Sequence, residues 1–264
     1  MRVYRLLGKR QLLLGLVCLL AAVAVLCGAT AAGFRLYAET TAAAVRRLPV
    51  YCTDRPNKTV AFTFDAAWGN EDTETLIKIF KENDIHVTFF VVGEWCDRCS
   101  DSVKALAAAG HEVMNHSASH PHMPSLSKAE MRAEIKTCNE KIAALTGKTP
   151  TLFRAPYGDY DNALIEVLDG MEMQCVQWDV DSLDWKDLSA AEISERVLSR
   201  VQSGSIVLFH NAAKHTPEAL PGIIQTLKKQ GYTFVKASEM LYPAKTPINH
   251  EGRQLGNVSP TATQ

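Results

Sequence analysis

Five short apolar segments, each with the composition of a β-strand, constrain this sequence most because each ends on a polar residue. The polar ends are Asp65, His116, Arg154, the acids between Asp179 and Asp184, and His210. Helical stretches separate these segments, and such alternation is the pattern of parallel α/β folds. Parallel α/β folds build their active sites from residues at the C-terminal ends of the strands. The pattern therefore predicts an enzyme.

The spacing of the strand-like runs predicts the fold class. Seven runs fall near residues 59–65, 86–92, 111–115, 151–154, 173–178, 205–210 and 232–235. Ser127 with Glu130 and Ser189 with Glu192 have the capping-box spacing that begins a helix. About 190 residues are fewer than a regular eight-fold barrel uses. We predict an α/β fold, a distorted (β/α) barrel of about seven parallel strands.

The N-terminal region differs from the rest of the chain. An uncharged run extends from Leu12 to Phe34, and four basic residues precede it: Arg2, Arg5, Lys9 and Arg10. At about 1.5 Å per residue the run spans roughly 35 Å, enough to cross a bilayer core. We favour an uncleaved membrane anchor with the basic end inside and the remainder outside the cytoplasm. The alternative is a secreted protein whose signal peptide is cleaved near the small residues at 29–31.

Composition divides the chain into four parts. Residues 1–34 are the basic flank and membrane segment, 35–56 a linker, 57–243 the catalytic domain, and 244–264 a polar tail predicted to be disordered. A net charge of −1 gives no electrostatic reason to expect nucleic acid as a partner. Through the first segment, the predicted partner is a membrane.

Five cysteines lie outside the apolar run: Cys52, Cys96, Cys99, Cys138 and Cys175. In an exported domain an odd number leaves at least one thiol free or in an intermolecular bond. Cys96 and Cys99 form a C-x-x-C, which suits a redox pair or half of a zinc site. No second C-x-x-C exists and no thioredoxin-like context surrounds this one, so a role without chemistry is favoured.

His116 and His120 are the candidate metal ligands. On a helical turn, a spacing of four residues places both imidazoles on one face. Two unrelated loop histidines are the alternative, because Pro121 and Pro124 follow closely. Asp65 ends an apolar strand and is a candidate general base or additional ligand, and Arg154 can neutralise its charge.

His210 is the candidate general acid, because the ordinary pKa of histidine suits proton donation near neutral pH. A core histidine bonded to a backbone carbonyl is the alternative. An acid between Asp179 and Asp184 can hold the imidazole in its protonated form.

Five segments in this order resemble the motifs of the NodB-homology polysaccharide deacetylases, carbohydrate esterase family 4. They are Thr63-Phe64-Asp65, His116-Ser117-Ala118-Ser119-His120, Arg154-Ala155-Pro156-Tyr157-Gly158, Asp181-Ser182-Leu183-Asp184-Trp185 and Leu208-Phe209-His210. The resemblance covers roughly residues 57–243. The Phe-Asp-x-x-Trp-Gly form at 64–69, with an N-terminal membrane segment, is most similar to the sporulation-associated, membrane-anchored branch.

The resemblance implies metal-dependent removal of N-acetyl groups from N-acetylglucosamine or N-acetylmuramic acid units of a cell-wall polysaccharide, peptidoglycan or chitin-like. It implies a divalent metal on His116 and His120, zinc first, with cobalt and manganese as alternatives. Asp65 is then the base, His210 the acid, and the Tyr157 N–H an oxyanion donor. It further implies that Arg154 orients Asp65, that Asp184 tunes His210, and that Trp185, Leu208 and Pro156 contact substrate.

Ala66 departs from the family pattern, which has a second aspartate there as the third protein ligand. Four alternatives are open for the missing third metal ligand. Asp65 takes that place, a water molecule takes it, His122 takes it, or the site holds no metal. The alternative function is a degenerate deacetylase fold that binds cell-wall glycan or a partner without turnover. Retention of Asp65 and His210 favours the enzyme, because a binding protein needs no acid–base pair.

Overall fold

In the computed structural model, residues 45–256 are described, so the predicted membrane segment falls outside the described range. Within that range no helix is both long enough and apolar enough to cross a membrane. Of the described residues, 47–256 form one compact unit.

Between residues 45 and 256, ten strands join in one sheet. They are β1 (Cys52–Thr53), β2 (Thr59–Ala66), β3 (Thr88–Val91), β4 (Glu112–Asn115), β5 (Leu152–Phe153), β6 (Gln174–Cys175), β7 (Val180–Asp181), β8 (Ser205–His210), β9 (Thr233–Phe234) and β10 (Arg253–Gln254). The order is β10-β1-β8-β2-β3-β4-β5-β6, with β7 on β8 and β9 on β2.

The sheet is curled and mixed. Its strand pairs are parallel except β1 with β8. A parallel bridge between Val50 and Val176 links residues beside β1 to residues beside β6. This bridge joins distant parts of the strand order, so the predicted distorted α/β barrel is confirmed.

Eight helices are described in this part of the chain: α1 (Thr73–Glu82), α2 (Gly93–Arg98), α3 (Ser100–Ala108), α4 (Lys128–Thr146), α5 (Asn162–Asp169), α6 (Ala190–Leu198), α7 (Thr216–Lys229) and α8 (Ala237–Met240). Both predicted capping boxes are confirmed. Ser127 caps α4 with Glu130, and Ser189 caps α6 with Glu192.

The alternation of β2 assigns its residues to two faces. Phe62, Phe64 and Ala66 belong to the apolar cluster shared with the helices. Ala61 belongs to the cluster of the barrel interior. Because successive side chains of a strand point to opposite faces, Asp65 lies on the interior face and Ala66 on the helix face.

The predicted linker and tail both contribute to the sheet, which corrects their boundaries. Cys52 and Thr53, assigned to the linker, pair with Arg253 and Gln254, assigned to the tail. Gln254 is buried. Polar composition predicted disorder here, but strand pairing satisfies the backbone groups of both segments, and composition does not reveal such pairing.

Candidate active site

The ends of the strands bring the predicted polar residues to one edge of the barrel. Asp65 and His210 are opposite each other in the parallel register of β2 and β8. A cavity of about 460 Å³ opens there. Its lining includes seven predicted site residues: Asp65, His116, His120, Tyr157, Trp185, Leu208 and His210. Arg154, Asp184 and Pro156 are buried and are not among the lining residues.

Arg154 holds Asp65 in place. Its Nη1 donates to Asp65 Oδ1 at 2.8 Å, and its Nη2 donates to Thr63 Oγ1 at 2.9 Å. The guanidinium is fully buried and lies 4.1 Å from the centroid of the Phe90 ring. Burial alone would raise the pKa of Asp65, but the charges of Arg154 and His116 lower it below its ordinary value. Asp65 is therefore an ionised carboxylate at neutral pH.

Asp184 holds His210 in place, as Arg154 holds Asp65. His210 Nδ1 donates to Asp184 Oδ1 at 2.8 Å, and the backbone N–H of His210 donates to Oδ2 at 2.8 Å. Thr216 Oγ1 donates to the same Oδ2 at 2.8 Å. Burial alone would lower the pKa of His210, but the hydrogen bond and charge of Asp184 raise it. These hydrogen bonds place Asp184 where it can raise the pKa of His210, as the resemblance implied.

His116 and His120 approach each other without a helix, so the predicted helical turn is wrong. They lie in the loop after β4, where Ser117 and His120 have positive φ angles of 67° and 61°. Their ring centroids are 4.9 Å apart. The positive φ angles reverse the chain, which a spacing of four residues cannot reveal.

The hydrogen bonds of His116 define which ring nitrogen faces the cavity. Its Nδ1 is 2.8 Å from the backbone oxygen of Arg154. A carbonyl only accepts, so Nδ1 carries the proton and Nε2 keeps its lone pair. Nε2 is 3.5 Å from Asp65 Oδ2. Burial lowers the pKa of His120 to about 4, so this imidazole is neutral at neutral pH, as metal ligation requires.

Two residues that no sequence pattern marked hold the loop that carries His116 and His120. Glu134 Oε2, from α4, accepts from the backbone N–H groups of Ala118 and Ser119, each at 2.9 Å. Asn115 Oδ1 accepts from the Ser117 N–H at 2.7 Å. No local pattern marks Glu134, because its partners lie 15 and 16 residues earlier in the chain.

Neither position 66 nor His122 supplies a third metal donor. Ala66 is fully buried in the helix-facing apolar cluster. His122 is exposed, lies 3.1 Å from Asp159, and stacks on Tyr157, so it does not substitute. Across residues 45–256 no group of three or more His, Cys, Asp or Glu side chains is placed to hold a metal ion. Two imidazoles fit as donors and a third donor is missing.

Tyr157 has a strained backbone at the predicted oxyanion position. It lies in the 3₁₀ turn Pro156–Gly158 with a φ of 60°. Non-glycine residues with positive φ are uncommon and cluster at functional sites. Its ring is largely exposed at the cavity mouth. Three further residues, none of which was given a site role from the sequence, also line the cavity: Trp68, Trp178 and Asp181.

The cysteines do not form a redox site. All five described cysteines are free thiols. Burial raises the pKa of Cys96 to about 12 and also raises that of Cys99. Because the thiolate is the reactive form, neither thiol is activated. The prediction of at least one free thiol is confirmed.

Comparison with known proteins agrees with this geometry. Residues 53–176 match the polysaccharide deacetylase family model. The chain is 33% identical over 190 residues to a peptidoglycan-N-acetylglucosamine deacetylase of Bacillus cereus, covering 70% of this chain and 69% of that protein. It is 32% identical over 193 residues to the uncharacterized Bacillus subtilis protein YlxY, of whose length it spans 60%.

A solved structure adds a contrast. A carbohydrate esterase family 4 pseudoenzyme from Bacillus anthracis matches with a TM-score of 0.71 and 34% identity, covering 74% of this chain and 69% of that one. A mutant of that pseudoenzyme has restored enzymatic activity and matches equally well in TM-score. The chain therefore belongs to the polysaccharide deacetylase family, carbohydrate esterase family 4.

Proposed function

We propose that this protein removes N-acetyl groups from N-acetylglucosamine or N-acetylmuramic acid units of a cell-wall polysaccharide. One observation carries the proposal. Two buried charge pairs, Asp65 with Arg154 and His210 with Asp184, present a base and an acid to one cavity. The Bacillus cereus relative is a deacetylase of peptidoglycan N-acetylglucosamine, which supports this substrate class.

Asp65 is the base in this proposal. Arg154 occupies Oδ1 and leaves Oδ2 on the side of His116. The lowered pKa of Asp65 keeps it ionised, so Oδ2 can accept a proton from an attacking water. Attack on the acetyl carbonyl then creates a tetrahedral oxyanion, and the Tyr157 N–H is the protein donor we assign to it.

His210 is the acid that completes the reaction. Its Nδ1–H is donated to Asp184, so in the imidazolium form the second proton is on Nε2 and is the one that can be transferred in the cavity. An amide nitrogen is a poor leaving group until it is protonated. Proton transfer from Nε2 to that nitrogen releases the free amine of the sugar and acetate. The hydrogen bond and the charge of Asp184 raise the pKa of His210, which favours the protonated donor.

His116 and His120 would hold a divalent metal, and a metal there would polarise the acetyl carbonyl and the attacking water. Imidazole ligands suit zinc, with cobalt or manganese as alternatives. Two protein donors bind more weakly than the three of a usual catalytic zinc site. We therefore propose a weak metal site that fills at high metal concentration.

A glycan-binding protein without turnover is the second candidate. Ala66 favours it, because the methyl group stands where the family has a metal-binding aspartate. The similarity to a pseudoenzyme of the same family points the same way. The two candidates differ in one observable, the release of acetate.

Acetate release from N-acetylglucosamine oligomers and from intact peptidoglycan, with zinc, cobalt or manganese added, tests the proposal. Asp65→Asn defines the background, because the amide cannot act as a base. Asp159→Asn is the matched control, since this exposed aspartate pairs with His122 and is not among the cavity's lining residues. We expect release by the wild type and Asp159→Asn. Wild-type release equal to the Asp65→Asn background on both substrates would establish the binding protein instead.

We also propose that the apolar run of residues 12–34 anchors the domain outside the cytoplasm, and that the protein acts during sporulation. The Phe-Asp-x-x-Trp-Gly form of residues 64–69 supports the second part. The domain should stay attached to intact cells, and protease added outside the cells should digest it. Release of a shortened protein into the medium would indicate a cleaved signal peptide.

A further inference from the structure

A second cavity of about 330 Å³ lies directly beside the active-site cavity. The two cavities share three lining residues: Trp68, Trp185 and His210. Sites for small ligands measure roughly 300–1,000 Å³, so each cavity has room for a separate ligand group. The candidate acid, His210, therefore stands at the junction of two adjacent binding spaces.

Both shared tryptophans are exposed, which is unusual for side chains of this size. Trp68 is 56% exposed and Trp185 is 57% exposed. Asn211 holds the loop that carries Trp68, because its Nδ2 donates to the backbone oxygens of Trp68 and Gly69 at 2.7 and 2.8 Å. Asn211 is buried, so the Trp68 loop is anchored. The exposed ring of Trp68, on its anchored loop, suits the apolar face of a sugar ring. The ring of Trp185 lies in the turn Asp184–Lys186 and has the Lys186 Nζ 4.9 Å from its centroid.

Among the described residues that line the second cavity, Lys214 is a cation without an ion-pair partner. Asp184 is occupied by His210 and Thr216. Asp187 lies 3.8 Å from the imidazole of His215. Lys214 lines the cavity and forms no ion pair within 4.0 Å among the residues that the structure describes. An unpaired lysine in a cavity that two tryptophans also line is complementary to a sugar that bears a carboxylate.

We propose that the second cavity binds the sugar next to the one being deacetylated, and that Lys214 binds a carboxylate on that neighbour. This inference rests on the proposed function, since it names the polymer on which the site acts. The occupant is an acidic sugar such as N-acetylmuramic acid with a free lactyl carboxylate. A chitin-like strand has no such group. The preferred polymer is therefore a peptidoglycan glycan strand whose lactyl carboxyl groups are free and not joined to peptides.

Binding measured without turnover tests the proposal. The protein carries Asp65→Asn, and calorimetry compares three tetrasaccharides. They are an N-acetylglucosamine tetramer, an alternating N-acetylglucosamine–N-acetylmuramic acid tetramer with free lactyl groups, and its lactyl methyl ester. We expect the free acid to bind about three- to ten-fold more tightly than the other two, because a charged hydrogen bond adds to stacking. High salt should reduce this preference.

Variants locate the preference. Lys214→Ala should abolish it, Lys214→Arg should keep it, and Lys229→Ala, a surface lysine at the end of α7, should leave it unchanged. Trp68→Ala should weaken binding of all three sugars by about ten-fold, because stacking is indifferent to charge. Trp68→Phe keeps an aromatic face and should recover part of that loss. Thermal unfolding of each variant shows that it is folded.

Each result decides the inference independently of acetate release. Equal affinity for acid and ester, equal effects of Lys214→Ala and Lys229→Ala, or no binding of any tetramer by folded protein would overturn it. A preference for the acid without acetate release from the protein that retains Asp65 would keep this subsite and remove the proposed activity. Acetate release without a preference for the free acid would keep the proposed activity and remove this subsite.

Discussion

On one side of the cavity, Asp65 and His210 each have a buried partner of opposite charge, Arg154 and Asp184. On the other side, His116 and His120 receive no third donor from position 66, which is a buried alanine. The proton-transfer side of this site is complete, and the metal side lacks one ligand. The two sides lie only 3.5 Å apart where His116 Nε2 faces Asp65 Oδ2.

This difference bears on function because the complete side is costly to maintain. Removing charged groups from water is unfavourable, and a buried ion pair contributes little net stability compared with apolar packing. Two such pairs at one cavity are more readily explained by proton transfer than by stability. The missing metal donor lowers metal affinity without removing the acid or the base. Four experiments test whether the two sides can be separated in this way.

His210→Ala should have the largest effect on the proton-transfer side. We expect kcat to fall roughly 10²- to 10⁴-fold with little change in KM, because the acid acts as the leaving group departs. Steady-state acetate release measures both constants. The exposed His250 supplies the control variant, His250→Ala, which should match the wild type. A kcat within about two-fold of wild type would remove His210 from the mechanism.

Arg154→Met tests the other charge pair through stability. It leaves the Asp65 carboxylate buried without its partner, so the free energy of unfolding should fall by about 3–5 kcal/mol. Urea unfolding gives this value, with the exposed Arg132→Met as the control. Adding Asp65→Asn to Arg154→Met should recover part of the loss, since the amide needs no counter-charge. A loss equal to that of the control would mean that the pair is not coupled.

Ala66→Asp addresses the metal side. Without metal, a carboxylate in this apolar position should lower the melting temperature, because it is buried without a partner. If the side chain reaches the imidazoles, zinc should restore the loss, and zinc affinity should rise about ten-fold or more. Ala66→Asn separates size from charge. Zinc titration that shows the same affinity in Ala66→Asp and wild type would place position 66 outside the metal site.

Asp184→Asn should have the smallest effect, a shift in pH dependence. The reaction needs protonated His210, so kcat falls as pH rises through the His210 pKa. Asp184 raises that pKa, and its removal should move the alkaline limb to lower pH. The acidic limb, assigned to Asp65, should move much less. Profiles of kcat against pH give both limbs, and an unchanged alkaline limb would contradict the tuning role.

Local sequence patterns identified two strand ends and two helix starts, but they did not identify β7 (Val180–Asp181). Apolar runs ending at Asp65 and His210 identified β2 and β8, and capping boxes identified the starts of α4 and α6. The same patterns missed β1 and β10, which pair across about 200 residues of chain. They also missed Glu134 and Asn211, whose hydrogen bonds join distant segments.

The sequence by itself determined which chemical groups reach the edge of the barrel, because hydrophobic periodicity and capping depend on neighbouring residues. Only the tertiary structure decided how those groups are paired. Closure of the sheet places Arg154 on Asp65 and Asp184 on His210, and loop reversals with positive φ bring His116 to His120. It also decided that the Ala66 side chain packs against the helices. Alternation along a strand defines two faces, but only the packing of the sheet decides which face is the barrel interior.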